Sequence, residues 1–309
     1  MSVTVIHSPF RYPGGKFRAR SVIRSLIPQH TYYAEPLAGG ASIFFAKERV
    51  ETNVLNDKDK DLINCYIHIR DHVEDLIAHL QGVEATREKY DYYKTKYQPG
   101  TDLERAVRWY YLNRTSFSGI MNPGNCYWGY NDECSMRPEN WPAHLRRCSK
   151  KLQGVELTHD DFETVIKQAP KDAFLFVDPP YFGSGQARFY FHKFTKKEHS
   201  RLADVLKENC NRIRFLLSYN DCCEIRELYK WAGCHLQQEW QYTLARTDDQ
   251  KITGNGVTAV SVNGNVKGKR TAGKELFILN YTPPTIETTI TETSAEGEGD
   301  VEHQHCFTE

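Results

Sequence analysis

The run Ala173-Phe174-Leu175-Phe176-Val177 leads directly into Asp178-Pro179-Pro180-Tyr181. Five successive apolar residues cannot alternate between a core face and a wet face. A strand of this kind is buried on both faces, which calls for a parallel sheet with helices packed on either side. Ligands of such open sheets bind at the carboxyl ends of the strands. A carboxylate placed there accepts a hydrogen bond from an amino group. The two prolines stiffen the backbone and carry no N–H, so their carbonyls are left to accept. The Pro179 carbonyl can take the second hydrogen of a planar NH₂ group, and Tyr181 offers a π face to a base. The alternative, a strand-ending turn with a capping Asp, explains the acid and the prolines but not the aromatic that follows.

The rest of the chain repeats the pattern. Residues 31–35 and 52–55 read as short strands, separated by a Gly-rich turn and a helix over 41–48. A helix is expected over 61–70. Further on, a strand at 154–158, helices at 161–167 and 196–209, a strand at 214–218 and a helix at 222–229 continue the sheet. Residues 235–281 read as a hairpin with a long polar loop. Between about 70 and 150 the pattern changes to helices at 72–80 and 102–112, then a stretch rich in Gly, Asn, Pro and aromatics. Loops of that composition carry binding more often than packing. The expected organisation is α/β, with one discontinuous domain of residues 1–70 and 151–284, an inserted module of 71–150, and a disordered acidic tail of 285–309.

Three further clusters point to a ligand. In Tyr33-Ala34-Glu35-Pro36-Leu37-Ala38-Gly39-Gly40-Ala41 a strand ends in an acid, and a glycine turn opens a helix. The pattern is not GxGxxG and no Walker lysine follows, which excludes a phosphate cradle of either kind. Asp57 ends the next strand, at the distance where an acid takes ribose hydroxyls in dinucleotide folds; alone, it reads equally as a helix N-cap. Arg11-Tyr12-Pro13-Gly14-Gly15-Lys16 is a turn with an aromatic and a cation, suited to packing on a ligand and neutralising a carboxylate. Asp160-Asp161-Phe162 sets acids beside a ring after a third strand, suited to an adenine, although an N-cap with a core Phe has the same spelling.

Charge needs care. The 309 residues carry 40 basic and 40 acidic side chains. The last 25 residues hold seven acids and no Lys or Arg, leaving a body with 40 basic against 33 acidic residues. A basic body suits a polyanion without proving one. Arg146, Arg147, Lys150 and Lys151 form a basic cluster that reads either as a contact to a phosphate backbone or as a solvated face. The nine cysteines are irregularly spaced with no CxxC. They read as ordinary reduced thiols, with neither a disulfide framework nor a metal site. The N-terminus has no apolar leader pattern and no run is long enough to span a bilayer, so a cytoplasmic protein without membrane contact is expected.

Taken in order, RYPGGK, AEPLAGGASIF, LNDKDKDLI, YYLNRTSFSGI, HDDF, FVDPPY and KELFILNY resemble the Dam-type, α-group N6-adenine DNA methyltransferases over about residues 8–281. DPPY alone is shared by several amino-methylating enzymes; the ordered set is specific. The resemblance implies a Rossmann-like, S-adenosylmethionine-dependent methyltransferase sheet with helices on both faces, and a smaller helical and loop insert that recognises the DNA target. It implies that Tyr12, Lys16, Glu35, Pro36, Gly39, Asp57, Asp161 and Phe162 line the S-adenosylmethionine site, with Asp178 adjoining both cofactor and target base. Asp178, Pro179, Pro180 and Tyr181 would grip a flipped adenine. Arg11, Asn113, Arg114, Ser116, Ser118 and Asn122 would lie against DNA. RYPGGK has Tyr and Pro where many members have Trp and Ala. Members that read GATC carry an arginine three residues past the glycine matching Gly119; here that residue is Asn122. Arginine reads guanine and asparagine favours adenine, so GATC is the leading motif on family grounds only.

The implied reaction moves a methyl group from S-adenosylmethionine to adenine N6 on a base taken out of the duplex, with no metal and no covalent enzyme intermediate. The implied partner is double-stranded DNA, with a monomeric enzyme held at the nucleoid through it. A cognate restriction endonuclease acting separately and a solitary role both remain open. The rival readings are methylation of N4 of cytosine or of RNA, and a non-catalytic DNA-binding module that retains the fold.

Overall fold

A computed structural model describes residues 5–131, 135–183, 189–190, 192–241, 260–262, 265–267 and 272–284. The acidic tail, with Cys306, and Cys134 lie outside them. The helices are α1 (Arg20–Leu26), α2 (Ser42–Ala46), α3 (Lys60–Asp71), α4 (Val73–Leu80), α5 (Arg87–Thr95), α6 (Asp102–Thr115), α7 (Trp141–Leu152), α8 (Phe162–Gln168), α9 (Lys196–Asn209) and α10 (Cys223–Leu228). The strands are β1 (Tyr32–Glu35), β2 (Thr52–Asn56), β3 (Glu156–Thr158), β4 (Phe174–Val177), β5 (Arg214–Asn220), β6 (Cys234–Gln241), β7 (Val260–Val262), β8 (Asn265–Lys267) and β9 (Ala272–Leu279).

Seven strands form one sheet in the order β3-β2-β1-β4-β5-β9-β6. The first five are parallel, and β9 runs antiparallel between β5 and β6. The fully apolar β4 sits near the middle, as its composition requires. Phe174 and Phe176 point into one hydrophobic cluster and Leu175 and Val177 into another. The first cluster is closed by α2, α3, α6 and α7, the second by α8, α9 and α10. The outcome is a Rossmann-like α/β layer structure with helices on both faces. The long hairpin is present as β6 paired with β9, from Cys234↔Leu279 to Gln241↔Ala272.

The insert is more helical than expected. α5 is written Arg-Glu-Lys-Tyr-Asp-Tyr-Tyr-Lys-Thr, with no aliphatic stripe to reveal its period, yet Thr86 caps it and Tyr90 and Tyr93 supply its buried face. α7 carries Pro142 in its first turn, where the missing N–H costs nothing, and buries Trp141, His144, Leu145, Cys148 and Leu152. α6 is closed by a capping box of Thr101 and Glu104. α6 and α7 pack on α3, and α4 packs on both, so residues of the insert share a hydrophobic cluster with one face of the sheet.

α7 also carries the basic cluster. Arg146 is held by Glu74 through two hydrogen bonds of 2.6 and 2.7 Å. Lys151 instead donates to the Lys47 carbonyl and lies over the Phe44 ring. Burial lowers the pKa of His7 and of His144, with Arg20 and then Arg147 adding to the fall at His7 and Arg114 and then Arg147 at His144. Arg146, Arg147 and Lys150 are exposed and Lys151 is half-buried.

Candidate active site

The direction of winding reverses between β1 and β4. β1 leads outward to β2, whereas β4 leads the other way to β5. Such a reversal opens a crevice beyond the carboxyl ends of the two strands. Here it is a cleft of about 1140 Å³, open mouth included, with Glu35 and Asp178 at its floor. Pro36 and Gly39 line it from the β1 turn, Asp57 from the end of β2, and Asp161 and Phe162 from the start of α8. Tyr12 covers it from the N-terminal segment. The structure thus brings most of the expected cofactor residues into one cavity.

Each is held for a physical reason. Glu35 Oε1 accepts from the Tyr33 hydroxyl (2.7 Å) and from the Phe44 N–H (2.8 Å). α2 begins at Ala41, whose side chain caps nothing, and Glu35 supplies the acceptor from a distance. Burial pushes the Glu35 carboxyl up to about 8, against the pull of those two bonds. Gly39 has φ +47°, and a Cβ there would lie 2.6 Å from the Tyr12 ring. The glycines of this turn therefore make room for a tyrosine of the chain itself. Asp57 accepts from the backbone N–H of Gly39 (2.9 Å) and of Asp59 (3.0 Å), and burial raises its pKa against those bonds. The N-cap of α3 is Asp59, not Asp57.

Asp161 caps α8 by accepting from Glu163 N–H, and both its oxygens are gripped by Arg201 at 2.9 Å. Burial acts to raise its pKa, but Arg201 and the cap hold it below the ordinary value. Asp161 is thus already engaged; beside it, the Asp160 carboxylate has no partner among the described residues and also lines the cleft. Phe162 is stacked under the Arg201 guanidinium, 4.4 Å from its ring centre.

Lys16 does not line the cleft; it lies beneath it. Its ammonium contacts the two Asp178 oxygens at 2.7 and 2.9 Å, the Gly14 carbonyl at 2.8 Å, and Glu275 at 3.5 Å. Burial would lower its pKa, but Asp178, Tyr181 and Glu275 raise it well above the lysine value. Burial lifts Asp178 to about 6, with Lys16 opposing and Glu275 adding to the rise. Pro180 faces the cleft, while Pro179 is buried. Tyr181 is buried as well, its hydroxyl donated to Glu275 and its ring 5.0 Å from the Lys16 ammonium.

The residues expected against DNA divide into two groups. Asn113 is fully buried: its Oδ1 accepts from Arg11 N–H (2.9 Å), and its Nδ2 donates to the carbonyls of Arg11 (2.8 Å) and Gly119 (3.3 Å). Arg114 and Ser116 are buried too, and their carbonyls receive the Arg11 guanidinium at 3.5 and 3.4 Å. These three do not reach the surface as the resemblance implies; they clamp Arg11 against the end of α6, where a cation suits the helix terminus. Arg11, Ser118 and Asn122 are partly exposed. Ser118 is turned outward in a left-handed conformation (φ 53°). Asn122 donates to the Tyr190 carbonyl (2.9 Å), joining the insert to the cleft wall.

Sequence reasoning missed several site residues. Tyr190, His192, Lys193 and Phe194 form a wall of the cleft before α9; their aromatic and basic run ahead of the Thr195 cap was the signal. Asn56 is fully buried and ties the Pro36 and Asp160 carbonyls together, stitching β1 to β3 across β2. Its local sequence carries no mark of that. Glu275, an acid inside an apolar strand, was visible but unassigned. Among the described residues no group of His, Cys, Asp and Glu is arranged to hold a metal ion, no helix is long and apolar enough to cross a membrane, and the cysteines are free.

Comparison with known proteins agrees with this geometry. Residues 12–244 match the D12 class N6 adenine-specific DNA methyltransferase family. The type II methyltransferase M1.LlaDCHI of Lactococcus lactis subsp. cremoris is 27% identical over 271 residues, covering 80% of this chain and 92% of that protein. The type II methyltransferase M.CviBI of Paramecium bursaria Chlorella virus NC1A is 28% identical over 244 residues, covering 75% and 89%. A DNA adenine methylase of Haemophilus influenzae is 27% identical over 246 residues, covering 73% and 84%. The chain belongs to the D12 class of DNA methyltransferases, enzymes that methylate N6 of adenine.

Proposed function

We propose that the switch-point cleft binds S-adenosylmethionine, and that Asp178-Pro179-Pro180-Tyr181 presents the N6 amino group of a flipped adenine to it. The observation that carries this reading is the position of Asp178: an acid at the end of the central strand, on the floor of the cleft, tethered to a buried lysine. The residues present suit the cofactor. Asp57, at the end of β2, is placed for ribose hydroxyls; Phe162, braced by Arg201, for a purine ring; Asp160, with its free carboxylate, for a purine amino group. When bound, the cofactor supplies a methyl group activated by its sulfonium.

The chain's own part is positioning and electrostatics. Each Asp178 oxygen is already bonded to Lys16 and keeps a second lone pair, so one of them can accept a hydrogen from N6. The Pro179 carbonyl accepts the other. With both hydrogens engaged, the N6 lone pair is directed along the line of transfer; as the C–N bond forms, the methyl–sulfur bond would break with its electron pair left on sulfur, and the N6 proton held by Asp178 passes to that carboxylate and on to solvent. Tyr181 meets the base with its hydroxyl held by Glu275. Residues 71–150 act as the target-recognition module through Ser118, Asn122 and the surrounding loop, with Arg11 approaching from the N-terminal segment. The enzyme is a site-specific, adenine-directed DNA methyltransferase acting as a monomer on duplex DNA in the cytoplasm. Its motif is GATC or a variant set by Asn122, and a cognate endonuclease, where one exists, acts separately.

The test is labelled S-adenosylmethionine with unmethylated genomic DNA, digestion to nucleosides, and mapping of the modified positions. Labelled N6-methyl-2′-deoxyadenosine at one short motif is expected. Label on cytosine or on RNA would replace the target, and failure to bind the cofactor would favour a binding module that keeps the fold.

A further inference from the structure

Resting on that reading of Asp178 and Tyr181, we propose that Glu275 is a positioning residue for the transfer, fixing the Tyr181 ring and the charge balance around Asp178. Glu275 stands on β9, opposite Asn220 of β5, and the residue is 2% exposed. Its Oε1 accepts from the Ser218 hydroxyl at 2.6 Å and from the Tyr181 hydroxyl, and lies 3.5 Å from the Lys16 ammonium. One carboxylate therefore touches the tyrosine of the proposed gripping motif, the strand beside it, and the lysine that holds Asp178.

Two features make this more than packing. A buried carboxylate is costly unless paired, and a hydrophobic strand such as Leu276-Phe277-Ile278-Leu279 needs no acid at its start. The charge count is also specific. Lys16 stands between two carboxylates, so Asp178, Lys16 and Glu275 together keep one net negative charge. Lys16 with Asp178 alone would be neutral. A site that retains one negative charge stabilises the positive charge that develops on N6 as the methyl group arrives, and a neutral one does so less. The other groups electrostatically coupled to Asp178 are Glu35 from β1, Tyr219 from β5, and Tyr190 from the wall before α9. Glu35 is held largely protonated at neutral pH by its burial, and the tyrosines are neutral there, so Glu275 is the acid that decides the balance.

The experiment compares wild type with Glu275→Gln and Glu275→Asp, reading kcat and KM separately, cofactor affinity by calorimetry, and the pH profile of kcat/KM. Glu275→Gln is expected to bind cofactor within about threefold of wild type while kcat falls about 10–100-fold, less than the loss on removing a preorganised group that meets the reacting atoms directly. Glu275 raises the Asp178 pKa, so removing its charge moves the acid limb of kcat/KM, which reports the free enzyme, to lower pH. Glu275→Asp keeps the charge and withdraws it by one methylene; its acid limb should stay in place while kcat falls severalfold. Wild-type kcat with an unmoved limb in Glu275→Gln would overturn the proposal. Should that variant fail to fold, unchanged kcat in Glu275→Asp would overturn it. Asp178→Ala separates the layers: activity surviving there removes the underlying reading, whereas an inactive Asp178→Ala beside an unaffected Glu275→Gln removes only the role of Glu275.

Discussion

Glu35 and Asp178 close two neighbouring strands, β1 and β4, and both stand on the floor of one cleft. They are held in opposite ways. Glu35 meets only neutral donors, a tyrosine hydroxyl and a helix N–H, and burial lifts it to about 8. Asp178 meets a buried ammonium on both oxygens, and its rise stops at about 6. At neutral pH one is mostly a protonated scaffold and the other mostly a charged acceptor. The same strand-end position thus serves the fold on one side and, in the mechanism we propose, the chemistry on the other, and the difference lies in what each carboxylate touches.

Replacing the two acids tests this division most severely. Asp178→Ala should lower kcat by about two to three orders of magnitude, the scale seen on removing one preorganised donor or acceptor. Glu35→Gln should leave kcat within about threefold, because a Gln oxygen can accept both bonds that Oε1 accepts now. Equal losses in the two variants, measured with labelled methyl donor on DNA, would erase the distinction.

The cation is the next point of attack. Lys16→Met leaves Asp178 buried without its partner, a change that costs about 3–5 kcal/mol when a buried pair is broken from one side. Removing Lys16 lifts the Asp178 pKa above its wild-type value of about 6, so Asp178 escapes by protonation and the loss measured by denaturant unfolding should shrink as pH falls toward about 6 and level off below it. A loss that does not vary with pH would mean that the lysine matters for packing alone.

These contrasts also mark what the sequence made legible. The buried strand, the order of the motifs and the acids at strand ends were readable because apolar periodicity and turn residues report local geometry directly. Asn113 was misread because its type suits either a base edge or a backbone clamp, and only the approach of Arg11 across 102 residues decides between them. Lys16 was assigned to the cofactor for the same reason: a lysine in a turn does not announce which carboxylate it will find. Glu275 and Asn56 act through partners far away in the chain, and no local pattern encodes those. Asp161 carried two spellings at once, cap and ligand, and the structure uses it as a cap paired with Arg201.

The pH dependence of stability sharpens the comparison from the Glu35 side. Its carboxyl titrates near 4.5 when unfolded and near 8 in the fold, so folding takes up a proton between those values. The stabilisation belonging to the protonated form is complete below about 4.5 and is lost as pH rises toward about 8, at about 1.4 kcal/mol per pH unit. Glu35→Gln has no proton to take up. Its stability relative to wild type should therefore rise through that window and level off above it. A flat difference curve from pH 5 to 8 would show that Glu35 is ionised in the fold, and the contrast with Asp178 would fail.

The smallest expected effect separates the cofactor wall from the chemistry altogether. Arg201 holds Asp161 through a partly exposed pair and braces the face of Phe162. Exposed pairs of this kind contribute about 0.2–1 kcal/mol, so Arg201→Ala should lower stability by no more than that. Asp161 would keep its cap on α8, because Glu163 N–H still reaches it. What is lost is the fixed position of the ring proposed to meet the purine. KM for the methyl donor should rise about two- to fivefold while kcat stays at its wild-type value, the pattern of lost uniform binding. A fall in kcat at constant KM would place Arg201 with Asp178 rather than with the wall, and the line between the two sides of the cleft would have to be redrawn through α9.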